Sequence, residues 1–242
     1  MNKKNLFKFV VSLLFSFSLA ACVGMFGVTG TGDIITEIRP VSNFKSIDLL
    51  TSADVEIVKG DSFKVEVSDY ENIIQYISLK VVARNLVISV SPITTLLVNS
   101  KAKIMITMPD SLSSVSNAGS GNVVLNSSFK DLELFINTGS GDIIASKDLN
   151  IKKMNASILG SGNITAKGTA ETLTTLISGS GDIDFSNLIS NTADCTTTGS
   201  GNTYVNVINT LKAKISGSGN IEYEGSPVIT ATTPGSGTLK PL

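Results

Sequence analysis

The sequence is organised around the stretch Ile177-Ser178-Gly179-Ser180-Gly181-Asp182-Ile183, whose central tripeptide, Gly-Ser-Gly, occurs seven times at intervals of 18 to 21 residues. An Asn, an Asp or, in the last copy, a Thr follows each tripeptide. A fixed period near 20 residues is typical of a solenoid, in which each repeat forms one turn of a coil. The glycines of the first six copies are Gly119, Gly121, Gly139, Gly141, Gly160, Gly162, Gly179, Gly181, Gly199, Gly201, Gly217 and Gly219, and the seventh copy begins at Gly235.

The polarity of each repeat alternates along the chain. Residues at even distances from the first glycine are mostly apolar or small, and those at odd distances are mostly polar. Because side chains alternate between the faces of a strand, the pattern predicts β-strands with the even positions inside the coil. Strands one turn apart run parallel, so we expect an all-β, right-handed parallel β-helix with about 20 residues per turn. Both glycines fall at even positions, which predicts either a close approach of the opposite wall or a positive φ at a corner.

The residues that follow the tripeptides form a mixed series. Stacked turns would place them about 4.8 Å apart, where two adjacent carboxylates repel each other. The series never puts two Asp in adjacent turns, so it predicts a hydrogen-bonded ladder. Calcium is the alternative, because Gly-rich repeats with regular Asp bind it; with only two Asp in seven positions, the ladder is favoured, and we expect no metal. The members are Asn122, Asp142, Asn163, Asp182, Asn202, Asn220 and Thr238.

The first 21 residues have the three zones of a secretory signal peptide: Lys3 and Lys4, an apolar run, and small residues before Cys22. The ending Leu19-Ala20-Ala21-Cys22 resembles the lipobox of bacterial lipoproteins, which implies that Cys22 carries lipid and holds the exported chain to a membrane of the cell envelope. Val23 after the cysteine favours the outer membrane or cell surface. An ordinary signal peptide and a soluble periplasmic protein are the alternative. The glycines that follow predict a tether, and we assign residues 22–40 to the lipidated cysteine and this tether.

Residues 41–111 alternate in polarity in several short runs, which predicts an N-terminal β region. This region is either distinct or an eroded version of the solenoid, because Ser52-Ala53-Asp54-Val55 is similar to a degenerate Ser-Gly-Asp-Ile. Apolar residues at helical spacing over residues 70–77 predict a short helix with Asp69 as its N-cap. The repeats then occupy residues 112–242, and three prolines predict a closing cap over residues 225–242.

Composition excludes several functions. With 19 basic and 20 acidic residues, the chain lacks the basic excess of a nucleic-acid partner, and it has no His to act as a general base. The pairs Asp182 with Asp184 and Glu222 with Glu224 share an outward face, as polysaccharide cleavage would need, but solvated outer positions are their commoner role. Cys195 falls at an inward position and is predicted to be a small buried side chain. We therefore expect no enzyme, no catalytic residue and no cofactor.

The recurring Ile-Ser-Gly-Ser-Gly-Asn/Asp-Ile, together with Phe44-Lys-Ser-Ile-Asp48, Asp54-Val-Glu-Ile-Val-Lys-Gly-Asp61 and Gly219-Asn-Ile-Glu-Tyr-Glu-Gly-Ser-Pro227, resembles the putative auto-transporter adhesin, head GIN domain family over roughly residues 40–238. The resemblance implies an exported lipoprotein-type bacterial protein with a β-helical fold, and it carries over no catalytic residue. It favours a lipid-anchored binding or adhesion module of the cell envelope, with an extracellular glycan or protein as partner. A polysaccharide-active enzyme and a structural or signalling-associated envelope component are the alternatives.

Overall fold

The computed structural model describes residues 26–93 and 95–242, with 21 strands and one 3-10 helix, Ile74–Tyr76, in that part of the chain. The predicted signal peptide and Cys22 lie outside the described residues. The N-terminal strands are β1 (Phe26–Thr29), β2 (Ile34–Arg39), β3 (Ser46–Leu49), β4 (Asp54–Lys59), β5 (Lys64–Tyr70), β6 (Ile77–Val82), β7 (Asn85–Val90), β8 (Thr95–Val98) and β9 (Lys103–Met108). The strands of the repeats are β10 (Ser114–Asn117), β11 (Val123–Leu125), β12 (Leu134–Asn137), β13 (Ile143–Ala145), β14 (Leu149–Ile158), β15 (Ile164–Thr165), β16 (Gly168–Ile177), β17 (Ile183–Thr197), β18 (Thr203–Ile215), β19 (Ile221–Glu224), β20 (Val228–Thr232) and β21 (Leu239–Pro241).

The repeats stack turn upon turn, with one strand before and one strand after each Gly-Ser-Gly bend. The strands before the bend form a first sheet in the order β6-β7-β3-β10-β12-β14-β16-β17-β18-β20, and every pairing from β7 onward is parallel. The strands after the bend form a second sheet in the order β2-β5-β9-β4-β11-β13-β15-β17-β18-β19-β21, parallel from β9 onward. The all-β solenoid with about 20 residues per turn is confirmed.

The predicted inward positions form the core. Two positions of each repeat, four residues before and four residues after the first glycine, carry side chains that are at most 2% exposed in the first six repeats. Burying such a side chain stabilises the fold by about 1.5–3 kcal/mol when it is as large as Val or Phe, so the stacked turns bury together what one turn could not. These side chains are Val115, Phe135, Ala156, Thr175, Cys195 and Ala213, and Val123, Ile143, Ile164, Ile183, Thr203 and Ile221.

The N-terminal region contains two further turns of the stack, but not in chain order. Strands β3 and β4 lie directly under the first repeat, with Ile47 opposite Val115 and Val55 opposite Val123. The turn below them is formed by β7 and β9, which come later in the sequence. Residues 46–59 are therefore inserted between residues 85–108 and 114–125, so the region is more than an eroded continuation of the repeats.

Antiparallel strands close the N-terminal end. Strand β6 pairs with β7, β5 pairs with β9, and β2 pairs with β5, all in antiparallel fashion. Strand β1 pairs with β8 in a separate two-stranded parallel sheet. The predicted tether over residues 22–40 is therefore wrong for residues 26–39, which form β1 and β2. Of their side chains, Ile35 packs against the core, whereas Ile34 and Ile38 are exposed.

The predicted helix over residues 70–77 reduces to the single 3-10 turn, because β5 continues through Tyr70. Asp69 is not a helix N-cap. It is fully buried, and its carboxylate accepts hydrogen bonds from the backbone N–H of Tyr70 at 2.8 Å, the N–H of Lys101 at 2.9 Å and the hydroxyl of Ser100 at 2.6 Å. The tertiary contact with residues 100–101 thus replaces the local cap.

The last repeat, predicted as a cap, completes one more turn. Strand β20 pairs with β18 and β21 pairs with β19, in the parallel register of the earlier turns. The side chains of β20 are exposed along its whole length, and no turn of the described residues covers them. Pro227, Pro234 and Pro241 lie around this final turn, where their missing N–H groups cannot template another strand.

Candidate functional site

The Gly-Ser-Gly bends stack in a single column along the solenoid. In all seven copies the second glycine is buried, the first is half-buried and the serine is exposed. A Cβ on Gly141 would meet the carbonyl oxygen of Gly121, and a Cβ on Gly181 would meet that of Gly162. The obstructing atoms belong to the preceding turn and not to the opposite wall, and no glycine of the motif has a left-handed φ. The glycines are therefore explained by contact between the backbones of successive turns.

The turn under the first repeat carries Thr51 and Ala53 where later turns carry the two glycines. The backbone oxygens of these two residues lie under the glycines of the first repeat. Below them, Leu50 donates to the Ile88 oxygen at 2.9 Å and Asp54 to the Ala102 oxygen at 3.0 Å. Between those two acceptors the chain departs from the turn to form β8. Among residues 26–93 and 95–242, no Gly-Ser-Gly bend lies beneath Thr51 and Ala53, so this turn does not need glycine at the two positions.

The predicted polar ladder runs along the edge of this column, and its hydrogen bonds confirm it. The side-chain Oδ1 of each member accepts the backbone N–H of the equivalent residue one turn on, at N–O distances of 2.6 to 3.0 Å, from Asp54 through to Thr238. Asn and Asp both provide this oxygen, which explains why either residue can occupy the position. The Nδ2 group of Asn163 adds a second bond to Asp142 Oδ1 at 3.1 Å. The side-chain oxygens of the ladder residues therefore serve to join successive turns of the solenoid.

Two buried asparagines that precede the bends had no explanation from the sequence. Asn117 donates from Nδ2 to the Gly121 oxygen at 2.8 Å and accepts the Gly119 N–H at Oδ1 at 3.0 Å. Asn137 bonds the two glycines of its own repeat in the same way, at 2.7 and 3.2 Å. Each side chain therefore closes its bend from the inside, at a position where later repeats have Ile or Thr.

The two acidic pairs considered for polysaccharide cleavage are bonded within the solenoid. Asp182 belongs to the ladder, and Asp184 accepts the N–H and the hydroxyl of Ser186 at 3.1 and 2.6 Å. Glu222 is ion-paired with Lys240 at 3.1 Å, and Glu224 accepts from Asn206 at 3.0 Å. Across residues 26–93 and 95–242, no three acidic or cysteine side chains converge in a group that could hold a metal ion.

Tyr204 lies on the outward side of the second sheet, hereafter the outer face, between Asp184 and Glu222 on the neighbouring strands. Partial burial, reinforced by the negative charges of Asp182, Glu222 and Asp184, raises the pKa of the Tyr204 phenol. The phenol therefore remains a neutral hydrogen-bonding group on an acidic stretch of the outer face.

A groove of about 470 Å³ lies at the N-terminal end of the outer face, where β2, β5, β9, β4 and β11 lie side by side. Met105 and Val124 contribute apolar side chains, and the hydroxyls of Thr36 and Ser68 lie 2.6 Å apart. This groove was not predicted, because it depends on the antiparallel addition of β5 and β2 beside β9. Its other lining residues are Asp54, Val55, Glu56, Glu66, Lys103, Ile104 and Asn122.

Cys195 is fully buried among the inward side chains, as predicted. Burial raises the pKa of its thiol from 9.0 to about 12, and the charge of Asp194 acts in the same direction. A thiol protonated at neutral pH and closed off from solvent is an inert part of the core. The other site residue predicted from the sequence, Cys22, lies outside the described residues. No helix in that part is long and apolar enough to cross a membrane.

A coiled stack of parallel strands with a glycine column places this chain among the β-solenoid proteins. The model of the family described as "Putative auto-transporter adhesin, head GIN domain" matches residues 43–227, which is most of the chain. The chain belongs to this family. Membership of an adhesin family indicates a protein of the cell surface or cell envelope. No curated protein matches the chain.

Solved structures share the fold. A "putative adhesin" from Bacteroides fragilis is 27% identical, with a TM-score of 0.83, and the match covers 89% of this chain and 100% of that one. A "putative lipid binding protein" from Parabacteroides distasonis is 23% identical, with a TM-score of 0.71 over 89% and 99% of the two chains. A "putative adhesin" from Parabacteroides merdae is 20% identical, with a TM-score of 0.69 over 90% and 99%. The last two establish similarity of fold alone.

Proposed function

We propose that this chain is a lipid-anchored binding module of the bacterial cell envelope, with the groove on the outer face as its ligand site. Membership of an adhesin family supports an extracellular ligand. The observation that carries the site is the groove itself, which combines apolar side chains with hydroxyl, amide and carboxylate groups. This combination is the usual make-up of a recognition site.

The chemistry of the groove favours a neutral glycan. Asp54, Glu56 and Glu66 provide three carboxylates, against Lys103 in the groove and Lys64, whose ammonium pairs with Glu66 at 2.8 Å. The excess of negative charge disfavours an anionic polysaccharide. Hydroxyl-rich neutral sugars can bond to the carboxylates and amide, while their C–H faces contact the apolar side chains.

A paired substitution tests the ligand site. Met105→Arg would fill the groove with a long charged side chain, whereas Ile144→Arg changes a half-buried residue in the same outward row but outside the groove. Lipid-free protein carrying Cys22→Ser is applied to arrays of neutral glycans and matrix proteins. We expect binding to a neutral glycan, weakened more than about tenfold (1.4 kcal/mol) by Met105→Arg and retained by Ile144→Arg.

Other results of this experiment point elsewhere. Equal binding by both variants would remove the groove from the proposal. A clean negative across the arrays would count against adhesion and favour a structural or signalling-associated component. Polysaccharide turnover that is lost with Asp182→Asn and Asp184→Asn would favour the enzyme.

The anchor has a separate test. The full chain is expressed in a Gram-negative host, and the mass of the membrane-extracted protein is measured. We expect a mature chain that begins at Cys22 with added acyl chains, because two or more chains are needed for stable attachment. Cys22→Ala should leave the protein in the soluble fraction. An unmodified mature cysteine would support the soluble periplasmic alternative.

A further inference from the structure

We propose that the N-terminal end of the solenoid itself contacts the membrane, through an apolar patch formed by Leu50, Ile93, Leu96 and Val98. The inference rests on the proposed lipid attachment at Cys22 and adds a second contact, made by protein side chains. The occupant of the patch is the lipid interface of the membrane that holds the anchor.

The patch is strongly exposed for its composition. Ile93 is 91% exposed, and the other three side chains are between 41% and 51% exposed. Leu50, Ile93 and Leu96 line one shallow cavity of about 260 Å³, whose remaining lining consists of Val, Leu, Ser and Thr with no charged residue. A contiguous apolar surface with an uncharged rim marks an interaction site more often than chance exposure does.

The position of the patch relative to the anchor decides its partner. Strand β1 begins at Phe26, and four residues can span at most about 14 Å from Cys22. Strand β1 pairs in register with β8, so that Gly27 lies opposite Leu96 and Thr29 opposite Val98. Acyl chains on Cys22 would therefore hold β1, and with it β8, within about 14 Å of the lipid-modified residue.

The chemistry of the surroundings fits a lipid interface. Residues 22–32 and 85–100, which contain both strands of this small sheet, carry no Asp, Glu, Lys or Arg, so these two segments bring no charge of their own to the lipid. Lys101 follows the second segment, where headgroups can solvate it. A second copy of the chain is the competing occupant, but four side chains are far fewer than the 20 to 30 residues per side of a stable interface.

The chain has no tryptophan, so a single introduced one reports on a chosen site. Ile93→Trp probes the patch, and Leu159→Trp probes a 55% exposed Leu on a middle turn as the matched control. The lipidated full-length protein is reconstituted into vesicles of phosphatidylethanolamine and phosphatidylglycerol at a 3:1 ratio. We expect the emission of Ile93→Trp to shift to shorter wavelength and to be quenched by brominated acyl chains, with Leu159→Trp unchanged.

A second measurement keeps the patch and the anchor distinguishable. Lipid-free Cys22→Ser protein is floated with the same vesicles. Ile93→Asn and Leu96→Asn should each reduce the vesicle-bound fraction about tenfold, because each removes an apolar side chain that the membrane would bury. Leu159→Asn should not reduce it. Unacylated Cys22 in the mass measurement would overturn the anchor while flotation still tests the patch. With acylated Cys22, water-exposed emission from Ile93→Trp, or a concentration-dependent blue shift without vesicles, would overturn the membrane contact.

Discussion

In the repeats, residues 112–242, each turn stacks on the turn before it in chain order, and backbone meets backbone at every glycine bend. In residues 26–111 the strands interleave, antiparallel pairs close the end, and Thr51 and Ala53 replace the glycines of the bend. The repeats depend on the absence of side chains at the corner. The N-terminal region depends on specific side chains, such as the buried carboxylate of Asp69. The two regions should therefore respond to different substitutions.

The largest effect is expected from Gly181→Val. Its side chain would overlap the backbone oxygen of Gly162, so successive turns would be forced apart, at a cost of about 3–5 kcal/mol in the free energy of unfolding. Chemical denaturation measures it. Ser180→Ala, on the exposed neighbour, should change the free energy of unfolding by less than about 0.5 kcal/mol. Ala53→Gly should change it by no more than about 1 kcal/mol. A Gly181→Val protein as stable as the parent would contradict the backbone contact.

A smaller loss is expected from Asp69→Ala at the N-terminal end. It removes three hydrogen bonds to a buried carboxylate and leaves their donors unsatisfied, which should cost about 2–3 kcal/mol. Hydrogen exchange should show the Lys101 amide losing protection, while amides of the repeats keep theirs. Asp131→Ala, on an exposed residue, is the control. Uniform loss of protection across the whole solenoid would show that the two regions are not independent.

The Cys195 thiol gives a pH-dependent comparison of the folded and unfolded chains. Its pKa is raised from 9.0 to about 12 in the fold, so the folded state retains a proton that the unfolded state loses. This contribution to stability is complete below pH 9 and declines as the pH rises towards 12. Cys195→Ala should flatten that decline in denaturation curves. Protein carrying Cys22→Ser should show no thiol reactive to Ellman's reagent at pH 8 and one after unfolding. Rapid labelling of Cys195 in the folded protein would argue against burial.

The smallest effect concerns the ladder. Asn163→Asp would place carboxylates in three successive turns, from Asp142 to Asp182, and should destabilise the fold by about 0.5–1 kcal/mol at low salt. The loss should shrink in 0.5 M NaCl, because exposed charges are screened. Asn220→Asp removes an equivalent amide bond, but its ladder neighbours, Asn202 and Thr238, are uncharged. Equal losses in both variants would show that charge spacing does not explain the alternation.

The sequence was most informative where the structure is periodic. Inward and outward positions, the ladder and the degenerate copy at residues 52–55 all follow from alternation and period, because each turn has the same kind of neighbours. The reason for the glycines required the structure, since spacing does not reveal whether the obstructing atom lies across the coil or one turn below.

The N-terminal end was less predictable because its contacts join distant segments. Asp69 resembled a helix cap locally, but its partners lie about thirty residues away. The groove and β1 likewise exist only through pairings that no local pattern encodes. Binding surfaces arise here from irregular additions to a regular stack.

The insertion of β3 and β4 between strands that follow them in sequence has a consequence for the order of folding. Ile47 pairs with Leu86 on one side and with Val115 on the other, so this turn is complete only when the chain through residue 125 is available. Contacts between such distant segments form slowly. When the chain is translocated with its N-terminus first, this turn would thus remain unfolded until about half of the chain has crossed. For an exported protein, this delay would keep the chain unfolded until translocation is well advanced. The repeats can then fold onto the completed turn one at a time.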